Sequence, residues 1–279
     1  MEQFLREIDH LMISARKKMI KGPIGNRRGK GLGNSMDFYG HRPYIPGDDI
    51  RKIDWKAYAR TEGFYVREFT EERQMKINLV LDCSASMDFG IPNKLDTAKM
   101  IVLGLSYIAL SQLDILSIYT ANERAEIFSE NIRGKENFYE LIPFINSIEP
   151  KGTTRLDSLG FLDNFPQGKT FIISDLFSTD IETTLDFLCA KDQDVVVLQL
   201  LSKEEIDPDY NGMLKLVDNE TYENIRIQVN KRIKDIYKTK INHFIEKCKG
   251  MCDQRDVKYV FSTSDMPYTN ILFNMTEAT

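Results

Sequence analysis

The sequence predicts an α/β fold: a mainly parallel sheet covered by helices on both faces, with a small β-containing subdomain attached. Two observations carry this expectation. From Lys76 onward, short apolar and β-branched runs alternate with longer segments whose apolar residues recur at helical spacing, the rhythm of strands joined by crossover helices. Several of the strand-like runs are apolar throughout instead of alternating, as strands buried on both faces must be. Composition sets the scale, since 279 residues with 42% hydrophobic content supply a real core, enough for one large or two modest domains.

At the start of the chain, Phe4, Leu5, Ile8, Leu11, Met12, Ala15 and Met19 form one apolar stripe over residues 3–20, which predicts an amphipathic helix docked on the rest of the protein. Arg16, Lys17, Lys18 and Lys21 lie at its carboxyl end, where cations interact favourably with the helix dipole and no ligand need be invoked. Arg27, Arg28 and Lys30 follow among Gly22, Gly25, Gly29, Gly31 and Gly33. The Walker spacing is missing and no strand precedes it, so a loop is expected there rather than a phosphate cradle.

Glu2, Glu7 and Asp9 at the amino end are followed by no long apolar run, and the longest apolar stretch, residues 100–110, is broken by Gly104 and Ser106. Neither a signal peptide nor a spanning helix is expected, and the expected location is cytoplasmic. A net charge of -5 with a pI near 5.4 argues against a nucleic-acid-binding role for the whole chain. The four cysteines are scattered, with Cys248 and Cys252 separated by three residues, and read as reduced packing residues, not as a zinc or redox site. Three distant histidines, His10, His41 and His243, offer little material for a catalytic triad.

Residues 40–60 are the densest mixture of aromatics and charges in the chain. Pro46 and Gly47 suit the centre of a type II turn, and Asp48 or Asp49 suits the cap of a short helix over residues 50–59. Arg42, Arg51 and Arg60 are matched in number by Asp48, Asp49 and Asp54, which predicts an ion-pair network around Trp55, the one tryptophan. The functional alternative is a docking face, because Arg, Trp and Tyr (here with Tyr44) are enriched at binding hot spots.

Beyond Lys76 the expected order is a strand ending at Asp82, a helix over 95–112, strands over 115–120 and 124–128, and a helix over 136–147. A loop over 150–155 opens a helix through 156–162. A strand over 170–174 ends at Asp175, a helix over 181–190 and a strand over 195–201 follow, and residues 213–217 and 222–229 make a hairpin. A helix over 231–248 and a strand over 257–262 finish the fold. Within this order, Asp82, Ser84 and Ser86 stand on one tight loop after a buried strand. One carboxylate and two hydroxyls so spaced can converge on a hard cation such as Mg2+, or the serines can simply cap the helix near Lys94.

The run from Arg42 through Tyr44, Pro46-Gly47-Asp48-Asp49, Arg51 and Ile53-Asp54-Trp55 to Arg60, with Val66-Arg67-Glu68-Phe69 and Glu72-Arg73 after it, resembles the signature of the bacterial domain-of-unknown-function 58 family. Members of that family resemble von Willebrand factor type A domains. The resemblance implies a Rossmann-like type A domain over 74–279, preceded by the helix and signature segment over 1–73. A hairpin at about 205–230 is expected to pack with the N-terminal segment.

In expected order, Asp82, Ser84, Ser86, Thr154 and Asp175 resemble the metal-ion-dependent adhesion site of type A domains. The resemblance implies that the hydroxyls touch the ion, Mg2+ with Mn2+ or Ca2+ as substitutes, while the two aspartates act largely through water. A first shell so poor in charge leaves the ion open to a carboxylate from a partner. Family loops usually carry an acid after the threonine, where this chain has Arg155, a cation that can pair with an incoming acid. The implied function is a non-enzymatic interaction module working beside a MoxR-type AAA+ ATPase on a client protein. The alternative is a metal-dependent phosphohydrolase with Asp82 as nucleophile. It is the weaker reading, because Ser84 stands where such enzymes place a second aspartate.

Overall fold

Phe4 and Ile8 lie one turn apart on a helix over residues 2–10 (α1), and both are buried. In a computed structural model, which describes residues 2–10, 36–71, 74–162, 165–177, 181–217 and 224–277, the chain forms two compact units. One comprises Met1–Pro23 with Met75–Thr279, the other Ile24–Gln74. Met1–Pro23 thus fall with the larger unit and not with the signature segment. The reason is packing: Phe4 and Ile8 sit in the same apolar cluster as the central strand and helices of the larger unit, a burial worth roughly 1.5–3 kcal/mol per large side chain. The remainder of the expected helix, its basic end and the Gly-rich loop lie outside the described residues.

In the smaller unit, β1 (Met36–Pro43) pairs antiparallel with β2 (Tyr65–Glu71). Between them, the Asp48 amide donates to the Ile45 carbonyl and Gly47 has φ +107°, the left-handed position that a type II turn demands of a glycine. The expected single helix over 50–59 is two pieces, a 3-10 turn at Ile50–Lys52 and α2 (Trp55–Thr61). Asp54 causes the break: its carboxylate accepts from the Lys56 and Ala57 amides and restarts the helix as an N-cap.

The larger unit is built on six strands: β3 (Lys76–Asp82), β4 (Ile115–Ala121), β5 (Ala125–Ile132), β6 (Lys169–Ser174), β7 (Asp194–Leu201) and β10 (Lys258–Thr263). Their order is β10-β7-β6-β3-β4-β5, all parallel except β5. Side chains alternate across β3, so Ile77, Leu79 and Leu81 join one apolar cluster and Val80 the other. The first cluster packs against α3 (Lys94–Ser111) and α4 (Phe138–Asn146). The second is closed by α5 (Ile181–Ala190) and by Cys248 and Cys252 of α7 (Lys231–Asp253). Helices on both faces are thus what hides a sheet of this composition.

Three elements differ from expectation. The segment Leu156–Phe161 is a 3-10 helix, and between α5 and the hairpin the short α6 (Lys203–Ile206) is held by a Ser202/Glu205 capping box. A final helix, α8 (Tyr268–Thr276), follows β10 and buries Ile271, Leu272 and Met275. Strands β8 (Gly212–Val217) and β9 (Asn224–Val229) form the expected hairpin as a separate two-stranded sheet. Among the described residues, no helix is long and apolar enough to cross a membrane.

Candidate functional site

The chain leaves β3 toward β4 on one side, while β6 pairs on its other side. This is the switch point of the sheet, where parallel α/β folds open a crevice beyond the strand ends. Asp82 is the last residue of β3 and Asp175 the first beyond β6, and both are fully buried. Leu176, directly after Asp175, has φ +62° although it is a buried leucine. A non-glycine in that region costs on the order of 1–3 kcal/mol, offset here by the Leu176 amide donating to Ser174 Oγ and the Phe177 amide donating to Asp175 Oδ1.

Around Asp82 the expected hydroxyls gather. The Ser84 amide donates to Asp82 Oδ1 at 2.9 Å, and Thr154 Oγ1 lies 3.3 and 3.2 Å from Oδ1 and Oδ2. Ser84 and Ser86 face one another, Oγ to Oγ, at 3.0 Å. The two loops that carry them are laced by backbone, with Lys151 N donating to Cys83 O and Ala85 N to Gly152 O. Thr154 therefore arrives from 72 residues away at a fixed position. Burial first and the neighbouring Asp175 charge second push the Asp82 carboxyl above the usual carboxylate range, against the opposing hydrogen bonds of Ser174 and Ser84.

Sequence reasoning missed three residues of this site. Ser174 Oγ donates to Asp82 Oδ2 at 2.5 Å. Lys94 is fully buried, and its ammonium lies 2.8 Å from Asp175 Oδ2 and 2.6 Å from Glu205 Oε1. Glu205 was legible, as the Ser-x-x-Glu of a capping box after an apolar strand, while a single lysine opening a helix carries no such signal. Desolvation raises the Glu205 carboxyl, the Lys94 charge opposing it.

The donor set is all oxygen, with two buried carboxylates and three hydroxyls on adjoining loops, and its hard, partly charged character fits Mg2+ or Mn2+. Asp175 differs from Asp82 in its partners: one oxygen accepts from the Lys94 ammonium and the other from the Phe177 amide. Arg155 turns aside to Asp157, donating from Nε and Nη2 at 3.3 and 2.9 Å.

The remaining candidates lie in the smaller unit. Arg42 holds Asp48 through two nitrogens at 2.6 and 2.7 Å, whereas Asp54 pairs with His41 at 2.7 Å. Asp49 caps the 3-10 turn through the Arg51 amide, and the Arg51 guanidinium stays exposed. Arg60 Nε donates to the Lys56 carbonyl. The expected network around Trp55 is therefore corrected: Trp55 is 57% exposed and meets Tyr58 edge-on, Tyr58 stacks on Phe64, and Phe64 lies 6.3 Å from Tyr44. The acids are spent on caps and on short pairs, which leaves the aromatic ladder outside them.

Comparison with known proteins agrees with this architecture. Among solved structures, an aerotolerance-related membrane protein from Bacteroides fragilis is similar at 13% identity and TM-score 0.50, over 73% of this chain and 97% of that one. BatB from Bacteroides thetaiotaomicron matches at 15% identity and TM-score 0.45, over 73% of this chain and 98% of that one. The VWA domain of SpRpn10 matches at 8% identity and TM-score 0.43, over 74% and 99%. The fold shared with the Bacteroides fragilis protein is this mainly parallel α/β sheet with its covering helices. In sequence, an uncharacterized protein of Mycobacterium tuberculosis, Rv1480, is 49% identical over 49 residues, 18% of this chain and 16% of that protein; the match thus spans a small part of the relative's length. A family profile described as protein of unknown function DUF58 matches residues 40–244, and with well over half of its length so matched, this chain belongs to that family.

Proposed function

We propose that this protein is a non-enzymatic module that binds a protein partner through a divalent cation held by Asp82, Ser84, Ser86, Thr154 and Asp175. The observation that carries the reading is the convergence of Ser84 and Thr154 on Asp82 at the switch point, with Ser86 against Ser84 and Asp175 directly beyond the adjacent strand. Mg2+ is the natural ion for such a set, with Mn2+ as substitute, and its preference for a further anionic oxygen makes an Asp or Glu of the partner its complement. Family resemblance implies that the partner is a MoxR-type AAA+ ATPase acting with a client. The Tyr44, Trp55, Arg51 and Arg60 surface of the smaller unit is proposed as a second, metal-independent contact.

Catalysis by Asp82 is disfavoured by its surroundings. A hydrolase of that kind needs a second carboxylate two residues after the nucleophile as its acid and base, and Ser84 stands there instead. Metal-dependent turnover of a phosphate ester that disappears in Asp82→Asn would overturn this part of the proposal.

The decisive experiment is a binding titration of wild type and Ser86→Ala against the ATPase recovered from native cells, each with Mg2+ and with chelator. Ser86→Ala removes a hydroxyl without opening a core cavity. It is expected to weaken binding as much as chelation does, with little further loss when the two are combined. Equal affinity in all four conditions would eliminate the metal bridge. Asp175→Ala is the poorer probe, because it also removes one of the two carboxylates that pair the buried Lys94, and breaking a buried pair costs roughly 3–5 kcal/mol of stability.

A further inference from the structure

Lys94 is out of place by two physical criteria. Lysine is almost never fully buried unless paired, and a cation at the first position of α3, after the Asn93 cap, opposes the positive end of the helix dipole. Its ammonium is nevertheless enclosed, between Asp175 Oδ2, Glu205 Oε1 and the Phe177 ring, 5.5 Å to the ring centroid. Phe177 in turn stacks on Phe244 of α7. Lys94 of α3, the turn after β6, Glu205 of α6 and, behind Phe177, Phe244 of α7 thus close over one charged nitrogen.

The charge count of the cluster does not end there. Asp82, Asp175 and Glu205 supply three carboxylates within one patch, and among the described residues Lys94 supplies the ammonium that contacts it. Fully ionised, the patch carries two surplus negative charges, the amount a divalent ion brings. Resting on the divalent-cation reading above, we propose that Lys94 and Glu205 set the charge of the metal site: Lys94 is a built-in counter-cation that lowers its affinity, and Glu205 an outlying anion that raises it. Lys94 also holds Asp175 by one oxygen, so it is a positioning residue for that carboxylate. The site is thereby kept weak enough for the ion to retain its appetite for a partner's acid.

The test is titration of the full chain with MnCl2, followed by calorimetry and by the electron paramagnetic resonance of free Mn2+, for wild type, Lys94→Met and Glu205→Gln. The two variants are expected to move the dissociation constant in opposite directions. Lys94→Met tightens it and Glu205→Gln weakens it, each by about tenfold, the order one nearby charge exerts on a divalent ion in a partly buried site. Lys94→Met is also expected to melt lower without metal and to regain that loss with millimolar Mn2+, since the ion then supplies the missing positive charge. Should Lys94→Met fail to fold, Glu205→Gln decides alone, because it keeps the Lys94–Asp175 pair. Constants within twofold of wild type, or weakening in both variants, would reduce Lys94 to a structural clamp and overturn the proposal. Wild type and both variants all failing to bind Mn2+ would instead refute the metal site itself.

Discussion

Arg42 and Asp48 show how a single pair in the signature block acts. The guanidinium grips both carboxylate oxygens while the Ile45 amide donates to the same group, and the Arg42 hydrogen bonds, then the Ile45 one, lower the Asp48 carboxyl from 3.8 to about 2. A depressed folded-state value means that the unfolded chain binds the proton more tightly. The stabilisation is therefore complete above the unfolded value and is lost as pH falls from about 4 through about 2. An NMR titration of the Asp48 carboxyl is expected to show a midpoint near 2 in wild type and a higher one in Arg42→Gln, still below 3.8 because the Ile45 amide keeps donating. An unmoved midpoint would dissolve the pair. The Arg-Asp content of this block was plain in the sequence, yet the partners were not. Asp54 went to His41 and to capping α2 because side-chain direction, not count, decides who meets whom.

At the scale of elements, α8 supplies the clearest lesson. Ile271, Leu272 and Met275 stand at helical spacing after Pro267, so the helix was there to be read; its short length and terminal position hid it. Its seat is Gly104 of α3: a Cβ there would lie 2.4 Å from Leu272 Cδ1, and Leu272 is fully buried. Replacing a mid-helix glycine by alanine ordinarily gains about 1 kcal/mol. Overpacking a closed contact costs roughly 1–3 kcal/mol, so Gly104→Ala is expected to lower the urea midpoint on balance. A higher midpoint would mean that Leu272 moves freely and that α8 is loosely seated.

For the molecule as a whole, the thiols report cooperativity. Cys83, Cys248 and Cys252 are buried in the larger unit, and desolvation raises them to about 12, 11 and 12, whereas Cys189 is exposed. Because the thiolate is the reactive species, a thiol reagent at neutral pH is expected to modify one cysteine quickly in the native protein. The other three are expected to react together at the rate of global opening. Fast reaction of Cys83 alone would show the Asp82 loop opening independently of the core.

Periodicity and local chemistry determined the architecture. Apolar runs such as residues 77–81 and 195–201 admit only a doubly covered sheet, and Asp82, Ser84 and Ser86 were marked as a site because polar groups end such a strand abruptly. These are short-range signals, carried by residues within one element. Tertiary structure alone decided that Phe4 and Ile8 complete the core of a unit whose main body starts some 70 residues later, and that Ser174 donates to Asp82. It alone placed Lys94 between Asp175 and Glu205, 81 and 111 residues away. Burial is a property of the packed chain, and a lysine announces its counter-charge only where the fold has removed the water that would otherwise serve as its partner.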